Sequence, residues 1–104
     1  MVTKILSIDT SNSDEIMVVL MVGSERFEKT SNSKTEKAQA LLPLIRQLLE
    51  EHDLTPKDIT EIKLASGPGS YTGLRVGASI AQAFGWVLDI PVNGKKEPVE
   101  LTYE

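Results

Sequence analysis

The decade Ser66–Arg75, SGPGSYTGLR, decides the fold. It follows a short apolar run, Ile62–Ala65, and opens a long apolar one, so it reads as a glycine-rich turn between a strand and a helix. Glycines at 67, 69 and 73 permit positive φ and close backbone approach. Ser70 or Thr72 supplies the side-chain oxygen that starts a helix. The helix that follows spans about Thr72–Leu88. On its wheel Leu74, Gly77, Ala78, Ala81, Gly85 and Leu88 share one arc, and Val76, Ile80, Ala83 and Val87 the next. Only Arg75, Ser79, Gln82, Trp86 and Asp89 are left for solvent. An apolar arc that wide needs two surfaces to pack on: a sheet, and either another helix or a partner chain.

Working outward, Ile62–Ala65 arrives after one helix and leaves into another. It is therefore expected to run parallel to the first strand, Lys4–Asp9. Glu15–Val22 is apolar almost throughout and reads as a central strand buried on both sides. Gly23-Ser24 joins it to Glu25–Thr30, making a hairpin anchored by Phe27. A helix over Ala38–His52 places Ala38, Leu41, Leu42, Ile45, Leu48, Leu49 and His52 on one side, with Pro43 inside the pattern. Thr55 and Pro56 read as the cap and first position of a short turn. Ile90-Pro91-Val92 starts a further extended piece and Asn93-Gly94 a turn. Residues 95–104 form a tail or a short edge strand. The expected class is α/β: a mixed sheet, part antiparallel meander and part parallel, with two long helices packed on it. The expected division is a lobe over 1–92 and a tail over 93–104.

The 104 residues suffice for one domain with one core. Fifteen acidic against eleven basic residues leave a net charge of −4, which argues against direct binding of nucleic acid. Cysteine is absent, so disulfides, thiolate metal sites and cysteine nucleophiles are excluded. Asp9 interrupts the N-terminal apolar run, and no stretch reaches the ~20 residues of a membrane span. The expected location is the cytoplasm. His52, the single histidine, cannot build a metal cluster and reads as structural.

Two places offer themselves to a phosphate. One is the loop of Gly67, Gly69 and Ser70 at the helix start, where free N–H groups and the helix dipole favour anions. It fits neither the Walker pattern nor a dinucleotide fingerprint. The other is Asp9, Thr10 and Ser11 at the end of the first strand. Both also read as turn shaping and capping. Trp86 stands on the polar arc, as an exposed aromatic or as an interface anchor.

Together, ILSIDTS (Ile5–Ser11), ALLPLI (Ala40–Ile45) and GPGSYTGLR (Gly67–Arg75) resemble the TsaB (YeaZ) family in order and spacing over about residues 4–92. The resemblance implies an actin-like, ribonuclease-H-like lobe. It also implies a non-catalytic role in making threonylcarbamoyladenosine at position 37 of tRNA. The partner implied is a catalytic TsaD-like protein, or a second copy, with a TsaE-like ATPase reached through the complex. Docking would use the two long helices, with Leu41, Ile45 and Leu48 on the first and Leu74, Gly77, Ala78, Ala81, Gly85 and Trp86 on the second. A charge at Ala81 would then break association and leave the lobe folded. Two departures stand out. Lys37-Ala38-Gln39 occupies the place of the family's His-Ser-Glu, and the family's second lobe has no counterpart in these residues. Actin-like folds hold nucleotide between lobes, so no cofactor is expected, and ATP with magnesium fits poorly on one lobe.

Overall fold

The computed structural model describes residues 2–12, 14–32, 37–96 and 99–102. Four strands form one sheet in the order β3-β2-β1-β4, with β1 at Lys4–Asp9, β2 at Glu15–Val22, β3 at Glu25–Asn32 and β4 at Glu61–Leu64. β1, β2 and β3 make the antiparallel meander, and β4 runs parallel to β1. Both relations are those expected from the turns and the intervening helix. Helix α1 spans Lys37–Glu50 and α2 spans Tyr71–Leu88.

Strand alternation sorts the apolar residues onto two faces. Leu6, Ile8, Ile16, Val18, Leu20, Ile62 and Leu64 point into one core with Leu41, Leu44, Ile45, Leu48 and Leu49 of α1 and Ala78 and Ala81 of α2. Each large side chain so buried stabilises the lobe by roughly 1.5–3 kcal/mol. Both helices therefore lie on the same side. The opposite face carries Ile5, Ser7, Met17, Val19 and Met21, none of which belongs to that core. β2 is internal as expected. Its second face, however, receives no helix or strand among the described residues. The continuous apolar run in β2 is thus only half explained by the lobe itself.

Beyond α2 the chain turns at Asp89, whose φ of 55° ends the helix in the left-handed region. It then runs along the free edge of β4. Val92 bridges Ile62, and the Asn93 side chain pairs with both backbone groups of Leu64, accepting from its N–H at 2.7 Å and donating to its carbonyl at 3.0 Å. One amide thereby does for an edge strand what a neighbouring strand would do. Val99 and Leu101 pack against the core, and the Thr102 N–H donates to the Ser66 carbonyl at 2.8 Å. The described part of the tail lies on the lobe and forms no strand.

Candidate functional site: the helix pair and the junction beneath it

The end of β1 and the start of α2 are tied together. Ser70 caps α2, its hydroxyl oxygen accepting from the Gly73 N–H at 3.2 Å; Thr72 lies inside the helix. The Ser70 N–H donates to the Ser11 carbonyl at 3.2 Å. Ser11 donates twice to one Asp9 carboxylate oxygen, from its N–H at 3.0 Å and its hydroxyl at 2.6 Å. Thr10 is fully buried, and its hydroxyl donates to the Gly73 carbonyl. The structure thus brings together Asp9, Thr10, Ser11, Gly69 and Ser70, as the sequence suggested. These hydrogen bonds run into the junction.

Glycine is required here by close approach. A Cβ on Gly69 would lie 2.6 Å from the Ser11 Cβ, and one on Gly77 would run into the Thr10 hydroxyl and come within 3.2 Å of Leu64. At Gly67 the backbone has φ +120°, and a Cβ would strike the Thr102 carbonyl. Among the described residues no three of His, Cys, Asp and Glu gather to hold a metal ion. The donor set fits a nucleotide phosphate poorly, because the Ser11 hydroxyl is engaged with Asp9 and the Thr10 and Ser70 hydroxyls with the Gly73 backbone.

The helix residues expected to meet a partner fall into two groups. Leu41, Ile45 and Leu48 are at most 2% exposed, and Leu74, Gly77, Ala78, Ala81 and Gly85 are buried too. These eight are buried within the lobe itself. The small-residue stripe exists so that α2 can lie close on β1, β4 and the segment after it: Gly77 meets Thr10 and Leu64, and Gly85 meets Val92. The physical reason is that close approach to a sheet and close approach to a second helix demand the same residues.

Trp86 is the exception. It is 85% exposed, beside Val87 at 72%, with Tyr71 at 58% near the other end of α2 and Leu42 at 49% on α1. Between them Arg75, Ser79 and Ala83 are also exposed, so one line runs down the outside of α2. The Arg75 guanidinium lies 5.4 Å from the Tyr71 ring centre, within the range of cation–π attraction. Tyr71 and Val87 were not foreseen. Tyr71 stands between two capping candidates, and Val87 falls on an arc whose phase the wheel alone does not fix. His52 stacks on Phe27 with ring centres 3.8 Å apart, in keeping with a structural role.

A family model described as "TsaD: tRNA N6-adenosine threonylcarbamoyltransferase" matches residues 29–95. A Bacillus subtilis protein named tRNA threonylcarbamoyladenosine biosynthesis protein TsaB is 37% identical over 89 residues, which are 86% of this chain and 39% of that protein. Its Buchnera aphidicola namesake is 34% identical over 90 residues, 86% of this chain and 42% of the relative. The chain belongs to the TsaB (YeaZ) family. The solved structure of YeaZ from Pseudomonas aeruginosa superposes with a TM-score of 0.82 at 29% identity, over 86% of this chain and 42% of that one. The lobe thus has the actin-like, ribonuclease-H-like fold. The chain spans about two-fifths of the length of the curated relatives it matches. Among the described residues, no helix is long and apolar enough to cross a membrane.

Proposed function

We propose that this TsaB-family chain acts in the cytoplasm as a non-catalytic partner in forming threonylcarbamoyladenosine at position 37 of tRNA. It docks a TsaD-like catalytic protein through the outward sides of α1 and α2, and a TsaE-like ATPase joins through that complex. The observation that carries this reading is the exposed line on α2, with Trp86 at 85% and Val87 at 72% exposure. Aromatic residues left in water on an ordered helix are the typical anchors of a protein interface. The names of the relatives supply the pathway, and the match to a TsaD family model supports a partner with a similar lobe. The buried positions, Leu41, Ile45, Leu48, Leu74, Gly77, Ala78, Ala81 and Gly85, contribute by fixing the angle at which the two helices present that line.

The test is titration of the chain against a TsaD protein by calorimetry. Binding is expected, and Trp86→Ala should weaken it at least ~30-fold, the size of an interface hot spot. Absence of binding, or unchanged affinity in Trp86→Ala, overturns the reading. A parallel titration with magnesium-ATP addresses the junction loops: micromolar binding lost in Asp9→Asn would make Asp9, Thr10, Ser11, Gly67, Gly69 and Ser70 a phosphate site and the chain a nucleotide module.

A further inference from the structure

Of the three asparagines, Asn12 and Asn32 precede serine and Asn93 precedes glycine. Asn93 and Gly94 both take positive φ, 53° and 78°, in a two-residue turn that closes Val92 onto Lys95. The Val92 N–H donates to the Lys95 carbonyl at 2.8 Å, and the Lys95 N–H to the Val92 carbonyl at 3.1 Å. Asn-Gly is the pair such a turn favours. The asparagine has a second task. Its side chain accepts from the Leu64 N–H at 2.7 Å and donates to the Leu64 carbonyl at 3.0 Å. The turn and the edge of β4 thus hang on one carboxamide.

Asn-Gly is also a reactive pair. Attack of the Gly94 backbone nitrogen on the Asn93 Cγ closes a five-membered imide ring. The N–Cγ bond forms, the Cγ–Nδ2 bond breaks, and the Gly94 N–H proton leaves with Nδ2 as ammonia. Water then opens the ring, at Cγ to give aspartate or at the backbone carbonyl carbon to give isoaspartate. Water is the one co-reactant. Glycine favours the first step because it sets no Cβ beside the attacking nitrogen. Among the described residues the Gly94 N–H donates to no acceptor. The Leu64 clasp opposes the reaction. Attack makes Cγ tetrahedral, and a tetrahedral centre cannot keep a planar two-point pairing. Nδ2 must also come away from the Leu64 carbonyl. Reaction therefore waits for the clasp to open, which bares two backbone groups of β4.

We propose that Asn93-Gly94 is a self-modification site, restrained by the Leu64 clasp and irreversible once crossed. The product cannot rebuild the clasp. An aspartate has acceptors only, so its second oxygen sets a negative charge against the Leu64 carbonyl. Isoaspartate routes the main chain through Cβ and Cγ, which adds an atom to the turn and takes Val92 and Lys95 out of register. Deamidation thus frees the segment after α2 from β4. It leaves in place β1, β2 and β3, to which the Asn93 side chain makes no hydrogen bond.

Peptide mapping by mass spectrometry tests this, with the full chain and a synthetic peptide of residues 89–98 aged side by side in one mildly alkaline buffer. Aspartate and isoaspartate should appear at position 93 before Asn12 or Asn32 changes. The folded chain should react at least ~10-fold more slowly than the peptide, the factor set by breaking the two hydrogen bonds to Leu64. Modified chain, separated by its extra charge, should exchange the Leu64 amide hydrogen at least ~10-fold faster than the parent, with the β1–β2 amides unchanged. Asn93→Asp should show the same exchange pattern. No product at position 93 in the folded chain overturns the proposal, as does a folded rate equal to that of the peptide. Unchanged protection of the Leu64 amide in both the modified chain and Asn93→Asp also overturns it, since the clasp would then hold nothing.

Discussion

Gly77→Ala adds one methyl group where α2 lies closest to the sheet. The new Cβ would overlap the Thr10 hydroxyl and press Leu64 at 3.2 Å. Neither neighbour can give way easily. Thr10 is fully buried with its hydroxyl committed to the Gly73 carbonyl, and Leu64 is 5% exposed in the core. Overpacking of this kind costs about 1–3 kcal/mol. Turning the Thr10 side chain aside would strand a buried hydroxyl at a further cost of about 1–3 kcal/mol. Alanine recovers about 1 kcal/mol over glycine in a helix interior. The net expectation is a loss of about 2–4 kcal/mol, a large part of the 5–15 kcal/mol typical of a domain. At about 4–8 °C per kcal/mol for a domain of this size, the melting temperature should fall by about 8–32 °C. Thermal and urea melts followed by circular dichroism measure both quantities. If Gly77→Ala melts at or above the parent temperature, α2 does not rest on Thr10 and Leu64. The stripe would then be free for a partner after all.

Four further outcomes follow from the same packing. Ala81→Glu, at a position with no exposure, should leave the chain unfolded by circular dichroism, because an unpaired carboxylate enters an apolar core; a folded, merely monomeric variant would contradict the burial. Trp86→Ala should leave the melting temperature within about 2 °C of the parent, as expected for an exposed side chain. Asn93→Ala should cost about 1–3 kcal/mol by baring the two Leu64 backbone groups, and should raise hydrogen exchange at the Leu64 amide first. The Thr55 N–H bonded to the Asp58 carboxylate at 2.8 Å holds that acid below its usual value, partly offset by desolvation and helped by the Thr55 hydroxyl and the Lys4 charge. Its folded value is the lower one, so its contribution is present above the ordinary carboxylate range and fades as pH falls through it. Asp58→Asn should flatten the acid limb of stability in urea melts between neutral pH and pH ~3.

The strands and helices were legible because period and punctuation agreed. β2 is apolar and ends at Gly23, α2 starts at a glycine-rich turn, and Thr55-Pro56 marks the next element. Boundaries moved by two residues or so, as at β3, which runs on to Asn32 through polar residues because it borders β2 along its whole length. The junction was legible too: Asp9, Thr10 and Ser11 were singled out with the loop they meet. Their role was not. A carboxylate, two hydroxyls and two glycines describe a phosphate cradle and a strand–helix clasp equally well, and the Thr10 hydroxyl finds its partner, the Gly73 carbonyl, 63 residues away. The tail was least legible, since Val99 and Leu101 owe their places to the core they cover.

The helix wheel for α2 shows the limit most clearly. It separated Gly77, Ala81 and Gly85 from Trp86 correctly, yet it carries no information on which side meets the sheet. A stripe of small residues reports that something approaches closely and leaves open what that is. Here the approaching surface is the chain's own β1 and β4, and the residues left to a partner are the bulky ones, Tyr71, Trp86 and Val87. The same logic explains β2. Its uninterrupted apolar run required two covered faces, while the lobe covers one. The alternation Met17, Val19, Met21 therefore belongs to the face turned away from both helices. Exposed bulk on the helices and unspent apolar surface on the sheet lie on opposite sides of a two-layer fold, so a variant at Trp86 and a variant at Met21 should act independently. Their energetic coupling in a double variant is expected to be within about 0.5 kcal/mol of zero. A larger coupling would mean that the two faces communicate through the core between them.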